Sequence, residues 1–440
     1  MNLLSSNRKR IFFPNLKILL PIVLLSVIGI ISLLSTVILP SGGFGELEIV
    51  SKQVIFVIIG LILYLLLSVV DLSYLKHWQV ILIIYVFTLL LLLATLFFAP
   101  TINNVKRWLV IGGVQIQPSE IAKIVVIFLT AIILSKKDTY NEWLLFFISF
   151  LLTIPFVILV YIEPHGSMAL LILLIWFFMS FLGLSNPLRN SIILVISSCI
   201  SGAFLLNSVT SNSSWFFLLV PGIILAIFSF YSNKPWKNLV VISVLVGLFV
   251  GIVSSTVWGK VLKEYQKDRV VAFFNPTETE DDIGFNVNQS RIAIGSGRIV
   301  GKGFGNGTQS KRNFLPEHQT DFMFASFAEE FGLVGSLFLI FLYGFLIIVC
   351  FSVAIDSTYD TMFTLIALGV GIKILFEVFV NIGTNTGAIP ATGIPLPLMS
   401  AGGSITVMTF ICLGLVQNIS NLVSKSNKDK SREIVDFFEN

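Results

Sequence analysis

The chain has 440 residues, 55% of them hydrophobic and only 12% charged, with a mean hydropathy of +0.93. That apolar excess excludes a soluble domain of this size, and a net charge of +4 makes no case for a nucleic-acid partner. Cys199, Cys350 and Cys412 each sit inside an apolar run without Cys-x-x-Cys spacing, which excludes a disulfide framework and a thiolate metal site. They read as small packing residues.

A membrane-crossing helix needs about 20 apolar residues. Runs near that length occupy 18–39, 54–70, 80–98, 121–134, 144–161, 168–184, 191–206, 215–231, 239–257, 325–351, 362–380 and 404–423, twelve in all. The first follows Arg8, Lys9 and Arg10 but has full spanning length and no small-residue cleavage pattern after it, so it reads as a retained helix. With the N-terminus in the cytoplasm, inner segments carry fourteen Lys and Arg, from Arg8 to Arg432, against Lys52, Lys106 and Arg107 on short outer loops. This bias places both termini inside and the long segment 258–325 outside. Six of the seven Trp (Trp78, Trp108, Trp143, Trp215, Trp236, Trp258) fall at run ends, as an interfacial aromatic belt predicts. The expected fold is an all-α polytopic bundle of about 12 spans in one domain, 1–440, with an outer loop at 258–325 and a cytoplasmic tail at 424–440. The run 215–231 can also be read as lying in the interface.

Several charged groups lie along this order. Lys106 and Arg107 stand on the outer loop ahead of the fourth run, where an Arg fork can grip a diphosphate by charge-assisted hydrogen bonds or simply snorkel. Glu120 and Lys123, at i and i+3, share a helix face and can pair. The segment 261–274 reads as an amphipathic interfacial helix or an ordinary loop helix. Glu278, Glu280, Asp281 and Asp282 can hold a divalent cation through oxygen ligands or form a solvated acidic loop. Glycines at 295, 297, 301, 303, 305 and 307 surround Lys302, but Gly303 follows where a phosphate-binding loop needs Ser or Thr, so a nucleotide site is rejected.

Asp321 precedes the apolar run that begins near Ala325 and is expected at the membrane interface, with Glu329 and Glu330 deeper; an ionisable group there suits proton transfer. Lys373 and Glu377 form a second helical pair with Asn381 one turn on, read as a buried structural pair. The stretch 382–403, rich in Gly and Pro, cannot be a regular helix and is expected to line a cavity and floor the substrate site.

The runs Lys106-Arg107-Trp108-Leu109, Gln117-Pro118-Ser119-Glu120-Ile121-Ala122-Lys123, Ile292-Ala293-Ile294-Gly295-Ser296-Gly297, Gly307-Thr308-Gln309-Ser310, Leu315-Pro316-Glu317-His318-Gln319-Thr320-Asp321-Phe322, Asn381-Ile382-Gly383 and Gly393-Ile394-Pro395-Leu396-Pro397-Leu398 span most of the chain. In order and spacing they resemble the SEDS family, whose members include RodA, FtsW and SpoVE, with the wording at Gly307 and Gly393 nearer RodA. Such proteins typically have ten spans, so two extra helices between the sixth span and Tyr265-Gln266-Lys267-Asp268-Arg269 would preserve parity. Three motifs depart from the family: Glu163-Pro164-His165-Gly166-Ser167 for Gln-Pro-Asp, Ser400-Ala401-Gly402-Gly403-Ser404 for Ser-Tyr-Gly-Gly-Ser, and Gln319-Thr320-Asp321-Phe322 for His-Thr-Asp-Phe, with His318 displaced by one.

The resemblance implies a peptidoglycan glycosyltransferase that polymerises lipid II at the outer face of the cytoplasmic membrane for cell elongation. Its partner would be a class B penicillin-binding protein. Asp321 would be the catalytic base, and Lys106, Arg107, Trp108, Glu120, Lys123, Gln309, Glu317, His318 and Thr320 would bind substrate. A divalent cation, Mg or Mn, could share the task of neutralising the departing diphosphate, and no organic cofactor is expected. The alternatives are a division-type polymerase like FtsW, a scaffold that only recruits a synthase, and a lipid II flippase with Glu163, Lys373 and Glu377 along its path.

Overall fold

A computed structural model describes residues 14–38, 43, 45, 47–101, 105–184, 283–309, 315, 317–357 and 360–439. Two compact units divide the chain, Met1–Met179 with Phe285–Asn440, and Ser180–Gly284. The runs at 191–206, 215–231 and 239–257, the segment 261–274 with Tyr265 and Arg269, and the acids Glu278, Glu280, Asp281 and Asp282 lie outside the described residues.

The other nine runs are helices: α1 Leu16–Val37, α2 Glu48–Leu67, α3 Trp78–Phe98, α4 Pro118–Leu134, α5 Glu142–Ile162, α6 Gly166–Gly183, α8 Met323–Asp356, α9 Thr361–Thr386 and α10 Gly403–Glu439. Between α6 and α8 lies the helix α7, Ile283–Ser296. Eight of the described helices are long and apolar enough to cross a membrane; α4, at 17 residues, is the short ninth. Local chemistry sets their ends. Asn15 and Asn141 cap α1 and α5 by accepting from Lys17 N and Trp143 N, and Asp360 caps α9 by accepting from Met362 N. Pro118 opens α4, where its missing N–H would have been unpartnered anyway.

Helix α4 is buried along most of its length while α2 and α3 show most of their surface outward, so α4 is the axial helix and the other two face lipid. It packs against α3, α5, α9 and α10, while α8 packs on α9 and α1, and α2 on α10. A two-residue hairpin leads into α4. Strand β1 Leu109–Ile111 pairs antiparallel with β2 Val114–Ile116, and Gly112 and Gly113 both take positive φ, 59° and 82°, as a tight hairpin turn with matching twist demands.

Helix α8 is broken at Gly332, whose φ of 65° and ψ of −163° are not helical. A break at this depth strands backbone groups that a bilayer cannot satisfy. The loop after α7 fills the gap. Leu333 N and Val334 N donate to Arg298 O (2.9 Å) and Ile299 O (3.1 Å), while Lys302 N and Gly303 N donate to Glu329 O (3.1 Å) and Glu330 O (2.9 Å). A Cβ on Gly332 would lie 2.4 Å from Gly301 N, so glycine is required there by contact as well as by conformation.

Candidate functional site

The candidate site is built on 315–325, which lies against a small core of Ala293, Leu315, Phe322 and Ala325, with Val287 and Ile294 of α7 packed on it. Asp321 is half-buried at the mouth of α8. Three successive carbonyls around it are held from behind: Gln319 O accepts from Ala401 N (2.8 Å), Thr320 O from Ser400 Oγ (2.5 Å), and Asp321 O from both Asn381 Nδ2 (2.9 Å) and Asn385 Nδ2 (3.0 Å). A Cβ on Gly393 would come within 3.4 Å of Asp321 Oδ2, so the non-helical segment passes close to the carboxylate; it is shorter than the 382–403 expected, because α9 continues to Thr386 and α10 begins at Gly403.

Around Asp321 the neighbouring side chains take distinct positions. Glu317 is exposed with a positive φ of 51°, and its Oε2 accepts from Thr320 Oγ1 at 2.8 Å. His318 is half-buried, and its Nδ1 donates to Leu315 O at 2.9 Å, an assignment that leaves Nε2 as the acceptor. Burial holds this imidazole below the ordinary range, against the pull of Leu315 O and Glu317. Gln309 N donates to Glu329 Oε2 (3.1 Å), and Gln309 O accepts from Leu315 N (3.2 Å), tying the two outer motifs together.

The deeper acids Glu329 and Glu330 are fasteners. Glu329, fully buried, accepts from Lys302 Nζ (2.6 Å), Thr308 Oγ1 (2.8 Å), Thr308 N (2.9 Å), Gln309 N and Ser296 Oγ (3.3 Å). Glu330 accepts from Ser35 Oγ of α1, whose oxygen in turn accepts from Gly305 N (3.0 Å). The sequence shows these carboxylates as candidates for proton transfer but gives no sign of their donors, which come from up to 295 residues away.

On the facing loop, Lys106 is exposed and Arg107 and Trp108 are half-buried. Arg107 Nη2 donates to Pro164 O at the end of α5, beside the buried carboxyl of Glu163, which accepts from Thr95 Oγ1. Burial pushes Glu163 up to about 7 against the opposing effects of the Thr95 hydroxyl and the Arg107 guanidinium. Gln117 Nε2 and His165 Nδ1 lie 3.2 Å apart, and Ser404 joins the hairpin by accepting from Gln117 N and donating to Gln115 O, both at 3.0 Å. The departing motif Glu163-Pro164-His165 therefore meets this loop at two points, Pro164 at Arg107 and His165 at Gln117.

Glu120 and Lys123 pair at 2.8 Å in the buried interior of α4, and Lys373 and Glu377 pair at 2.8 Å in α9. The two pairs are one cluster, because Lys123 Nζ also reaches Glu377 Oε1 at 2.5 Å. Sequence spacing shows each helical pair but not the contact across 254 residues that merges them.

The profile of the cell cycle protein family of FtsW, RodA and SpoVE matches residues 15–214 and 217–425. The chain belongs to this family. Among relatives, the peptidoglycan glycosyltransferase MrdB of Escherichia coli is 30% identical over 396 residues, covering 89% of this chain and 92% of that protein. The peptidoglycan glycosyltransferase RodA of Treponema pallidum is 31% identical over 430 residues, covering 92% and 96%. Solved structures share the fold. A chain from a peptidoglycan synthase complex, described as coordinating polymerization and crosslinking, aligns over 93% of this chain and 98% of its own length with a TM-score of 0.66 at 24% identity. The rod shape determining protein RodA of Thermus thermophilus aligns over 94% and 98% with a TM-score of 0.58 at 23% identity. The chain is thus an all-α, multi-pass membrane protein of the FtsW, RodA and SpoVE type.

Proposed function

We propose that this chain is a peptidoglycan glycosyltransferase of the RodA type, which polymerises lipid II at the outer face of the cytoplasmic membrane during cell elongation, with both termini inside. The observation that carries it is the family match along nearly the whole chain, with relatives bearing that activity in their names. Chain growth needs a base for the acceptor hydroxyl proton and positive charge for the departing diphosphate. Asp321 takes the first role: it is half-buried at the mouth of α8, with the non-helical segment at Gly393 running close to its carboxylate. Arg107, with Lys106 beside it, takes the second.

Trp108, Gln309, Glu317, His318 and Thr320 border the substrate, while Glu120 and Lys123 act beneath it. A divalent cation, Mg or Mn, would share with Arg107 and Lys106 the neutralising of the departing diphosphate. A class B penicillin-binding protein is the proposed partner, supported by the fold shared with a chain of a synthase complex. A flippase would need Lys373 and Glu377 to line an open path, but they are fully buried and closed on each other and on Lys123.

The test is glycan polymer formed from lipid II by purified protein in detergent, where flipping has no meaning. Asp321→Asn keeps the shape but cannot take the proton, so the rate drops by at least roughly 10²-fold. Glu317→Gln and Glu330→Gln serve as controls. A near-normal rate with Asn at 321 sinks the assignment of the base.

A further inference from the structure

Helix α8 begins without a cap of its own. Phe322 stands at its N-cap position and has no side-chain oxygen to offer the first backbone N–H groups. Asn385, near the end of α9 and fully buried, supplies one from outside: its Oδ1 accepts from Ala325 N at 3.1 Å. The same side chain's Nδ2 donates to Asp321 O (3.0 Å) and Asn381 O (2.9 Å), while Asn385 O accepts from Ser290 Oγ of α7 (2.8 Å). Asn381, 1% exposed, divides its Nδ2 between Asp321 O (2.9 Å) and Ile394 O (2.8 Å). One amide thus grips the backbone at Asp321 and at Ala325 four residues on, the carbonyl of the same residue meets α7, and a second amide ties Asp321 to the segment beneath the carboxylate.

We infer that Asn385, seconded by Asn381, is a positioning residue for the glycosyl transfer, holding the main chain of Asp321 so that its carboxylate meets the acceptor hydroxyl. The inference rests on Asp321 being the base. Both side chains are buried and bond to backbone, so their contribution passes through Asp321. A carboxylate on an unheld backbone still sits beside substrate, but off the line of proton transfer, and a displacement of about 1 Å can cost up to roughly 10²-fold in rate.

A double-mutant cycle on the purified full chain, read as kcat and KM for lipid II, separates positioning from bulk stability. Asn385→Ala is expected to lower kcat between about 10- and 100-fold with KM within about twofold, and to have no further effect in the Asp321→Asn background, where no base remains to be placed. A merely structural role would lower activity by the same factor in both backgrounds, and that result overturns the inference. So does full activity of Asn385→Ala while Asp321→Asn is inactive, an outcome that leaves the base assignment standing. If Asp321→Asn itself is active, the base assignment fails and the positioning role falls with it. Should Asn385→Ala not be recovered folded, Asn381→Ala, which spares the contact with Ala325, carries the same cycle.

Discussion

The buried cluster of α4 and α9 allows a stability prediction worked from its contacts. Glu377 receives Lys123 at 2.5 Å on one oxygen and Lys373 at 2.8 Å on the other, and all four side chains of the cluster are buried with charges that sum to zero. Glu377→Gln leaves a net positive charge in the interior. Lys123 keeps Glu120, but Lys373 keeps only Thr409 Oγ1 at 3.5 Å. Removing one partner of a buried pair costs about 3–5 kcal/mol, mostly from the stranded charge. Lys373→Met should cost less, because Glu377 still holds Lys123. The double variant is neutral again and retains the Glu120–Lys123 pair, so it should be more stable than Glu377→Gln alone, with a coupling of about 2 kcal/mol or more between the two sites. Unfolding of the purified protein by a denaturing detergent, titrated into mild-detergent micelles, measures all three. If Glu377→Gln unfolds within about 1 kcal/mol of the parent, or if the two single costs simply add, the cluster is not the coupled unit described.

Two further outcomes follow from the same contacts. Glu163 holds its proton up to about pH 7 in the folded protein but only to the ordinary carboxyl value of 4.5 once unfolded, so the folded state binds more protons in between. Stability therefore falls as pH rises from about 4.5 to about 7, by no more than about 3 kcal/mol, and Glu163→Gln should abolish that slope in melts taken across the interval. Gly332→Ala combines the strain of a positive φ, about 1–2 kcal/mol, with a Cβ 2.4 Å from Gly301 N that only backbone movement relieves. The variant should lose protease resistance within 297–309 together with polymerase activity; an intact, resistant loop would refute the account of the break.

Much of the fold was legible because the bilayer makes spans long and apolar, and nine of the twelve runs coincide with helices while the other three lie outside the described residues. Two local features escaped the apolar pattern. The hairpin at 109–116 is carried by Gly112-Gly113 between apolar residues, a turn signal that was available in the sequence but hidden beside longer runs. The break in α8 was not available, since Gly332 looks like any glycine in an apolar run. Its conformation depends on loop backbone, from Arg298 to Gly303, arriving to satisfy the groups it frees.

The site shows the same division between pattern and partner. Charged pairs at i,i+3 and i,i+4 were visible in α4 and α9, because helix geometry alone puts those side chains together. What each group does was decided by residues far away in sequence. Glu329 and Asp321, eight positions apart, both read as acids near the outer boundary of the same span. One has its carboxylate held by Lys302, Thr308, Gln309 and Ser296, while the other has its backbone carbonyl held by Asn381 and Asn385. Saturating a carboxylate with donors favours a fixed charge that ties down a loop. Holding the main chain of Asp321 fixes where its carboxylate stands, which is the placement a proton acceptor needs.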